Sequence, residues 1–411
     1  MHGKNGLFLR EKKLPRIHFL NDSFLDQDQL INLSSNVRID ISQSQVSRII
    51  SYAFKKCETI ERLDLSLNNL TEIFSKSFYG MNMLKFLDIS SNQIFRLESD
   101  VFQDIPLLTN LDLGNNFIKN LDDNLFEYSK ELLSINLNLN QIEWLNKPIF
   151  RNLRKLKIIT LSNNRLRSLE PIFDNLESLE SLSVALNQIE IVQNDTFKSL
   201  KNIEKINIQN NKISEINSKT FRGAYNLKIL SLSRNKINRL YKNFSKENAN
   251  LTDLELSLNN LSFIEPDFFQ GLVKLKVLNI IQCNIKSIEF SSLVNLQFLS
   301  IRANELSSFS QNLSSLTELY LNNNPLVNLS YPLITSVNSS LELIDISSCD
   351  LKYIDFDILR NLSKLKELKM NGNSIILRND TFNGFPNLKK VDLDPNDAKR
   401  FQILFPNINF N

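Results

Sequence analysis

Three aspartates, Asp64, Asp88 and Asp112, recur at intervals of 24 residues. Carboxylates brought to one face at that interval can hold calcium or meet a basic ligand. They can equally form a solvated acidic stripe whose mutual repulsion water screens. Three cysteines, Cys57, Cys283 and Cys349, are the thiol candidates, and no C-x-x-C pair exists for zinc. The two histidines, His2 and His18, both lie near the N-terminus. A Ser-His-Asp constellation therefore has no histidine to use along most of the chain. No phosphate-cradling G-x-x-x-x-G-K-[ST], no G-x-G-x-x-G, no H-E-x-x-H and no G-x-S-x-G occurs. The expectation is a protein without catalysis, metal or cofactor.

Composition agrees. With 42% hydrophobic and 23% charged residues in 411, the chain is that of a folded protein. A net charge of +3 makes no electrostatic case for nucleic acid or an anionic membrane. No apolar run is long enough to span a bilayer as a helix. Near the N-terminus Gly6-Leu7-Phe8-Leu9 runs straight into Arg10, Glu11, Lys12 and Lys13. That is shorter than the apolar core of about 7–15 residues in a secretory signal. The chain is then cytoplasmic, or its start lies upstream.

What must position the aspartates is a repeat. The frame L-x-x-L-x-L-x-x-N-x-L reads clearly at Leu108–Ile118 and recurs from Leu132, Leu156, Leu179, Ile203, Leu227 and Leu251. Its ninth position gives the register: Asn68, Asn92, Asn116, Asn140, Asn164, Asn187, Asn211, Asn235, Asn259, Cys283, Asn304, Asn324, Cys349, Asn373 and Asn396. Ile39-Asp40-Ile41 with Ser44 and Val46 reads as a degenerate copy, and Ile17–Phe24 as another. The segment x-L-x-L-x alternates with period two and predicts a short strand, leucines inward. One such unit cannot bury its apolar edge, so units must stack into a parallel sheet with a continuous core. The ninth-position Asn, with both a donor and an acceptor, predicts a partner for backbone groups buried where the chain turns inward. Cys283 and Cys349 fit that place as small buried residues with a weak S–H donor. A second series, Phe54, Phe78, Phe102, Phe126, Phe150, Phe173, Phe197, Phe221, Phe244 and Phe269, runs in phase and predicts an aromatic spine.

These motifs resemble the leucine-rich repeat family over roughly residues 36–398. The 24-residue unit with a later Phe is similar to the typical animal extracellular class, as in Toll-like receptor ectodomains and chaoptin-like adhesion proteins. The resemblance implies an α/β solenoid, a horseshoe of about 16 repeats with a parallel concave sheet and a convex side of loops and short helical turns. It also implies non-catalytic binding of a protein through the concave face. The expected organisation is an N-terminal flank over 1–35, a solenoid over 36–393 that is irregular near 283–349, and a cap over 394–411. There Asp394-Pro395-Asn396-Asp397 reads as a helix start, with Ala398, Phe401, Leu404 and Phe405 as its apolar face.

Register lists the outward residues of the strands. Asp64, Asp88 and Asp112 are the acidic candidates for ligand contact. Phe86, Ile158, Ile229, Phe298 and Tyr320 are the apolar ones, since apolar side chains open on a sheet mark partner sites. Twelve Asn-x-Ser/Thr sequons occur: Asn21, Asn32, Asn69, Asn194, Asn243, Asn250, Asn260, Asn312, Asn328, Asn338, Asn361 and Asn379. Chance in so Asn-rich a chain would give about seven, so the excess favours secretion. The leading expectation is an extracellular or cell-surface recognition protein. An intracellular scaffold is the alternative, favoured by the absent signal and the unpaired cysteines.

Overall fold

The computed structural model describes residues 24–30, 37–217, 219–241, 244, 248–265, 267–290 and 292–411. The chain divides into two compact units, one ending at Gln188 and one starting at Ile189. Each is a parallel-strand solenoid with few helices, about 15 turns in all.

In the first unit, three-residue strands Arg38–Asp40, Arg62–Asp64, Phe86–Asp88, Asn110–Asp112, Ser134–Asn136, Ile158–Thr160 and Ser181–Ser183 pair in parallel and in one register. The middle residue of each points inward; Leu63, Leu87, Leu111 and Ile135 are at most 1% exposed. Of the two degenerate copies, the one at Ile39 is a full strand. The other is described only at Phe24–Leu25, which pairs with Arg48–Ile49; Ile17 and Phe19 lie outside the described residues.

After the strand each turn bends inward through a residue in the left-handed region, such as Leu67 (φ 57°), Asn115 (φ 55°) and Leu139 (φ 56°). Such backbone is costly for non-glycine residues and persists only when its surroundings hold it. The next residue, the asparagine, does so. Asn116 Oδ1 accepts the Ile94 N–H at 3.0 Å, and its Nδ2 donates to the carbonyls of Ile89 and Leu113, both at 3.1 Å. Asn68, Asn92, Asn140, Asn164 and Asn187 repeat this pattern. Each side chain thus ties one turn to the turn before it. Behind the sheet the rings of Phe54, Phe78, Phe102, Phe126, Phe150 and Phe173 stack with centroids 6.1–6.4 Å apart.

The second unit continues the plan with strands from Lys205–Asn207 to Lys390–Asp392. Asn211, Asn235, Asn259, Asn304, Asn324 and Asn373 make the same amide bonds. The aromatic spine departs from its expected membership. Phe268, not Phe269, stacks on Phe244 at 5.2 Å, and Phe269 turns toward Phe290 at 5.5 Å.

The chain closes on a helix, Pro395–Leu404, and a strand, Asn409–Phe410, that pairs with Lys390–Val391. Phe401 is fully buried among Phe382, Phe405 and Phe410. Leu404 is 43% exposed and does not belong to the buried face. Asn396 is not a ladder residue: it is an exposed residue of this helix's first turn. Asp394 instead accepts the Gly372 N–H at 2.9 Å, and its side chain is then not used to cap the helix.

Candidate functional site

The strand faces carry two arrangements, one in each unit. In the first unit Asp40, Asp64, Asp88 and Asp112 stand opposite one another on successive strands. Neighbouring parallel strands lie about 4.8 Å apart, so these carboxylates are close. Each is also pinned by its own backbone: the Oδ1 atoms accept the N–H two residues on, from Ser42, Ser66, Ser90 and Gly114, at 2.8–3.0 Å. This Asx-type bond is a structural use, and it ties each carboxylate to the turn that follows its own strand. Burial, then the charge of Asp112, pushes Asp88 up to about 6 against the hydrogen bonds of Ser90. Burial also raises Asp112, although Asn136 donates to it at 2.9 Å. Among the described residues no cluster of His, Cys, Asp and Glu has the geometry to hold a metal ion. Beside this ladder Arg62 lies over the Phe86 ring at 4.5 Å, so the phenyl face is already occupied by a cation. Ile158 stands between Ser134 and Ser181, apart from the other apolar candidates.

In the second unit Phe298 and Tyr320 are brought together. They sit on adjacent strands, diagonal in register, with ring centroids 5.3 Å apart. Both are half-buried. Val277 precedes Phe298 in its row, and Leu343 lies one strand beyond Glu318, so the pair is the centre of a short apolar stretch. Glu318 was not singled out by its sequence position. It accepts the Tyr320 hydroxyl at 3.0 Å. The signal was present, since residues two apart on a strand share a face. Burial, that hydrogen bond and nearby carboxylates push the Tyr320 phenol up to about 12. The phenol therefore stays neutral and serves as a fixed donor. Further along, Lys390 contacts Glu367 at 2.9 Å and Asp392 at 3.7 Å, and Lys369 contacts Glu367 at 3.6 Å. Ile229, 37% exposed, stands between Lys205 and Asp253, in the row of Phe298 but separated from it by Asp253 and Val277.

Comparison with known proteins gives the class. A model of the BspA type leucine rich repeat region matches residues 23–157 and 283–407, more than half of the chain. A second leucine rich repeat model matches 154–213, 201–249 and 249–306. The chain belongs to the leucine-rich repeat family. The BspA type is a bacterial class. No curated protein matches the sequence. Among solved structures, a leucine-rich repeat protein of Leptospira interrogans superposes with a TM-score of 0.78 at 23% identity, covering 94% of this chain and 98% of that one. The Toll-like receptor TLR13, solved with a single-stranded RNA, gives 0.71 at 20% identity, covering 94% and 55%. Drosophila Toll, solved with Spatzle, gives 0.68 at 19% identity, covering 85% and 52%. The chain spans about half the length of these two receptors. At these identities the likeness is one of fold. Among the described residues no helix is long and apolar enough to cross a membrane.

Proposed function

We propose that the chain is a non-catalytic, cell-surface or secreted recognition protein that binds a protein partner on the outward face of its parallel sheet. The observation that carries this reading is the Phe298–Tyr320 contact, two half-buried rings on a face whose inward residues are already packed. Aromatic pairs held rigid on a scaffold supply binding energy with little ordering cost. The solved relatives include Toll bound to a protein and TLR13 bound to RNA. Here Glu318, Asp345 and Glu367 in the rows around the rings oppose a phosphate backbone and favour protein.

Support for secretion comes from the sequons. Asn69, Asn194, Asn260, Asn312, Asn328, Asn338, Asn361 and Asn379 are exposed, and Asn250 is half-buried. Asn21, Asn32 and Asn243 lie outside the described residues. One observation favours an intracellular scaffold instead: Cys57, Cys283 and Cys349 are all free thiols.

A pull-down with wild-type chain and with Phe298→Ala/Tyr320→Ala tests the face. Partner recovery should drop about tenfold or more with the double variant. Equal recovery excludes the two rings as anchors. Glycosidase treatment of protein made in animal cells tests secretion, and an unshifted band from cytosol would favour the scaffold.

A further inference from the structure

The first unit carries a second exposed surface, on the flank where the chain leaves the sheet. After each ladder asparagine, backbone hydrogen bonds run from turn to turn: Phe117 N–H to the Ile94 carbonyl at 2.8 Å, Gln141 to Ile118 at 2.9 Å, Arg165 to Ile142 at 2.8 Å. Gln93, Phe117, Gln141 and Arg165 therefore hold equivalent places on successive turns. Phe95, Lys119, Glu143 and Arg167, two residues on, form the next row. The residues between, Ile94, Ile118 and Ile142, are at most 1% exposed and fill the core.

Phe95 and Phe117, 55% and 49% exposed, lie on neighbouring turns in neighbouring rows. Leu139, 52% exposed, is beside them, its carbonyl accepting the Asn116 N–H at 3.2 Å. Trp144, 54% exposed, follows on the same turn as Leu139. Large apolar side chains left open on consecutive turns, with the inward places already filled, mark a contact surface. The charges beside them are unbalanced. Lys119, Arg165 and Arg167 are exposed, and among the described residues none has an ion pair. On the rim beside the strands, by contrast, Lys85 pairs with Glu61 at 3.0 Å and Lys157 with Glu180 at 2.8 Å. Against the three cations the two flank rows set one carboxylate, Glu143.

We propose that this flank docks an extended protein segment that combines apolar side chains with carboxylates. The open rings and leucine receive the apolar side chains, and the uncompensated cations select the acidic ones. A polynucleotide shares the charge preference but would meet Glu143 in the middle of its path. None of the asparagines between Asn69 and Asn194 begins a sequon, so no N-glycan would stand on these turns; that point alone rests on the secretion proposed above.

Selection of a random dodecapeptide display library on the immobilised full chain tests the assignment. Recovered peptides should combine Asp or Glu with Phe, Leu or Trp. Their recovery should fall about tenfold on Arg165→Glu/Arg167→Glu and on Phe95→Ser/Phe117→Ser, and stay unchanged on Phe298→Ala/Tyr320→Ala. A synthetic copy of the recovered peptide with Lys in place of each acidic residue should lose binding to the wild-type chain, a readout independent of how the variants fold. No enrichment, peptides lacking acidic residues, equal recovery on both flank variants, or loss confined to the Phe298→Ala/Tyr320→Ala variant would overturn the proposal. So would an oligothymidylate that displaces the peptides.

Discussion

The carbonyl of Cys283 accepts the backbone N–H of Leu261 at 2.8 Å. One turn earlier the equivalent N–H, that of Ile237, goes to the side-chain oxygen of Asn259 at 3.0 Å. A thiol keeps the donor half of the amide's work, with Cys283 Sγ donating to the Leu256 carbonyl at 3.4 Å. It has no strong acceptor, so the backbone supplies that half. Cys349 repeats the solution: its Sγ donates to the Leu321 carbonyl at 3.3 Å, and its carbonyl receives the Leu326 N–H at 3.1 Å.

These thiols should be inert. Burial pushes Cys57, Cys283 and Cys349 up to about 11, so at neutral pH almost no thiolate exists to react. Ellman's reagent is expected to label none of the three in the native chain and all of them in guanidinium. Rapid native labelling of any one would show that its turn is open.

The amide ladder should be a main source of cohesion. Asn116→Ala strands the Ile94 N–H in the core and leaves the Ile89 and Leu113 carbonyls one amide donor each, from Asn92 at 3.2 Å and Asn140 at 2.9 Å, at a cost of about 2 kcal/mol. Asn396→Ala, on the exposed face of the terminal helix, should stay within about 0.5 kcal/mol of wild type. Urea melts of the two variants check the contrast. Similar losses would mean that the ladder continues through Asn396.

The aspartate row should make the first unit sensitive to pH. Asp88 sits near 6 in the folded chain, above about 3.9 for an unfolded aspartate. Below the unfolded value both states are protonated and nothing is lost. As pH rises toward the folded value the unfolded chain releases its proton first, so stability falls, and above it the loss is constant. Asp88→Asn removes the charge and should stabilise the protein by on the order of 2 kcal/mol at neutral pH. The gain should shrink toward zero near pH 4, roughly the unfolded value. Thermal melts of both proteins at mildly acidic and neutral pH measure it, and a gain independent of pH would place its origin elsewhere.

Much of the architecture was legible in the residues alone. The interval between Asn68, Asn92 and Asn116 specified the strands, because an amide buried once per turn constrains both its own loop and the one before. The Phe series from Phe54 to Phe244 and the helix starting at Pro395 followed from spacing and local chemistry in the same way. Other features needed the packed chain. Phe268 and Phe269 are neighbours of equal hydrophobicity, and only the packing of the two turns decides which ring meets Phe244. Asp394 could cap a helix or hold Gly372, and the tertiary neighbour won because the last turn's N–H had no other acceptor. Phe298 and Tyr320 touch while Ile158 and Ile229 stand alone, although all four occupy outward register positions. Periodicity says which way a side chain points; whether two such side chains meet depends on what the adjacent turn places beside them, and that is a property of the stack.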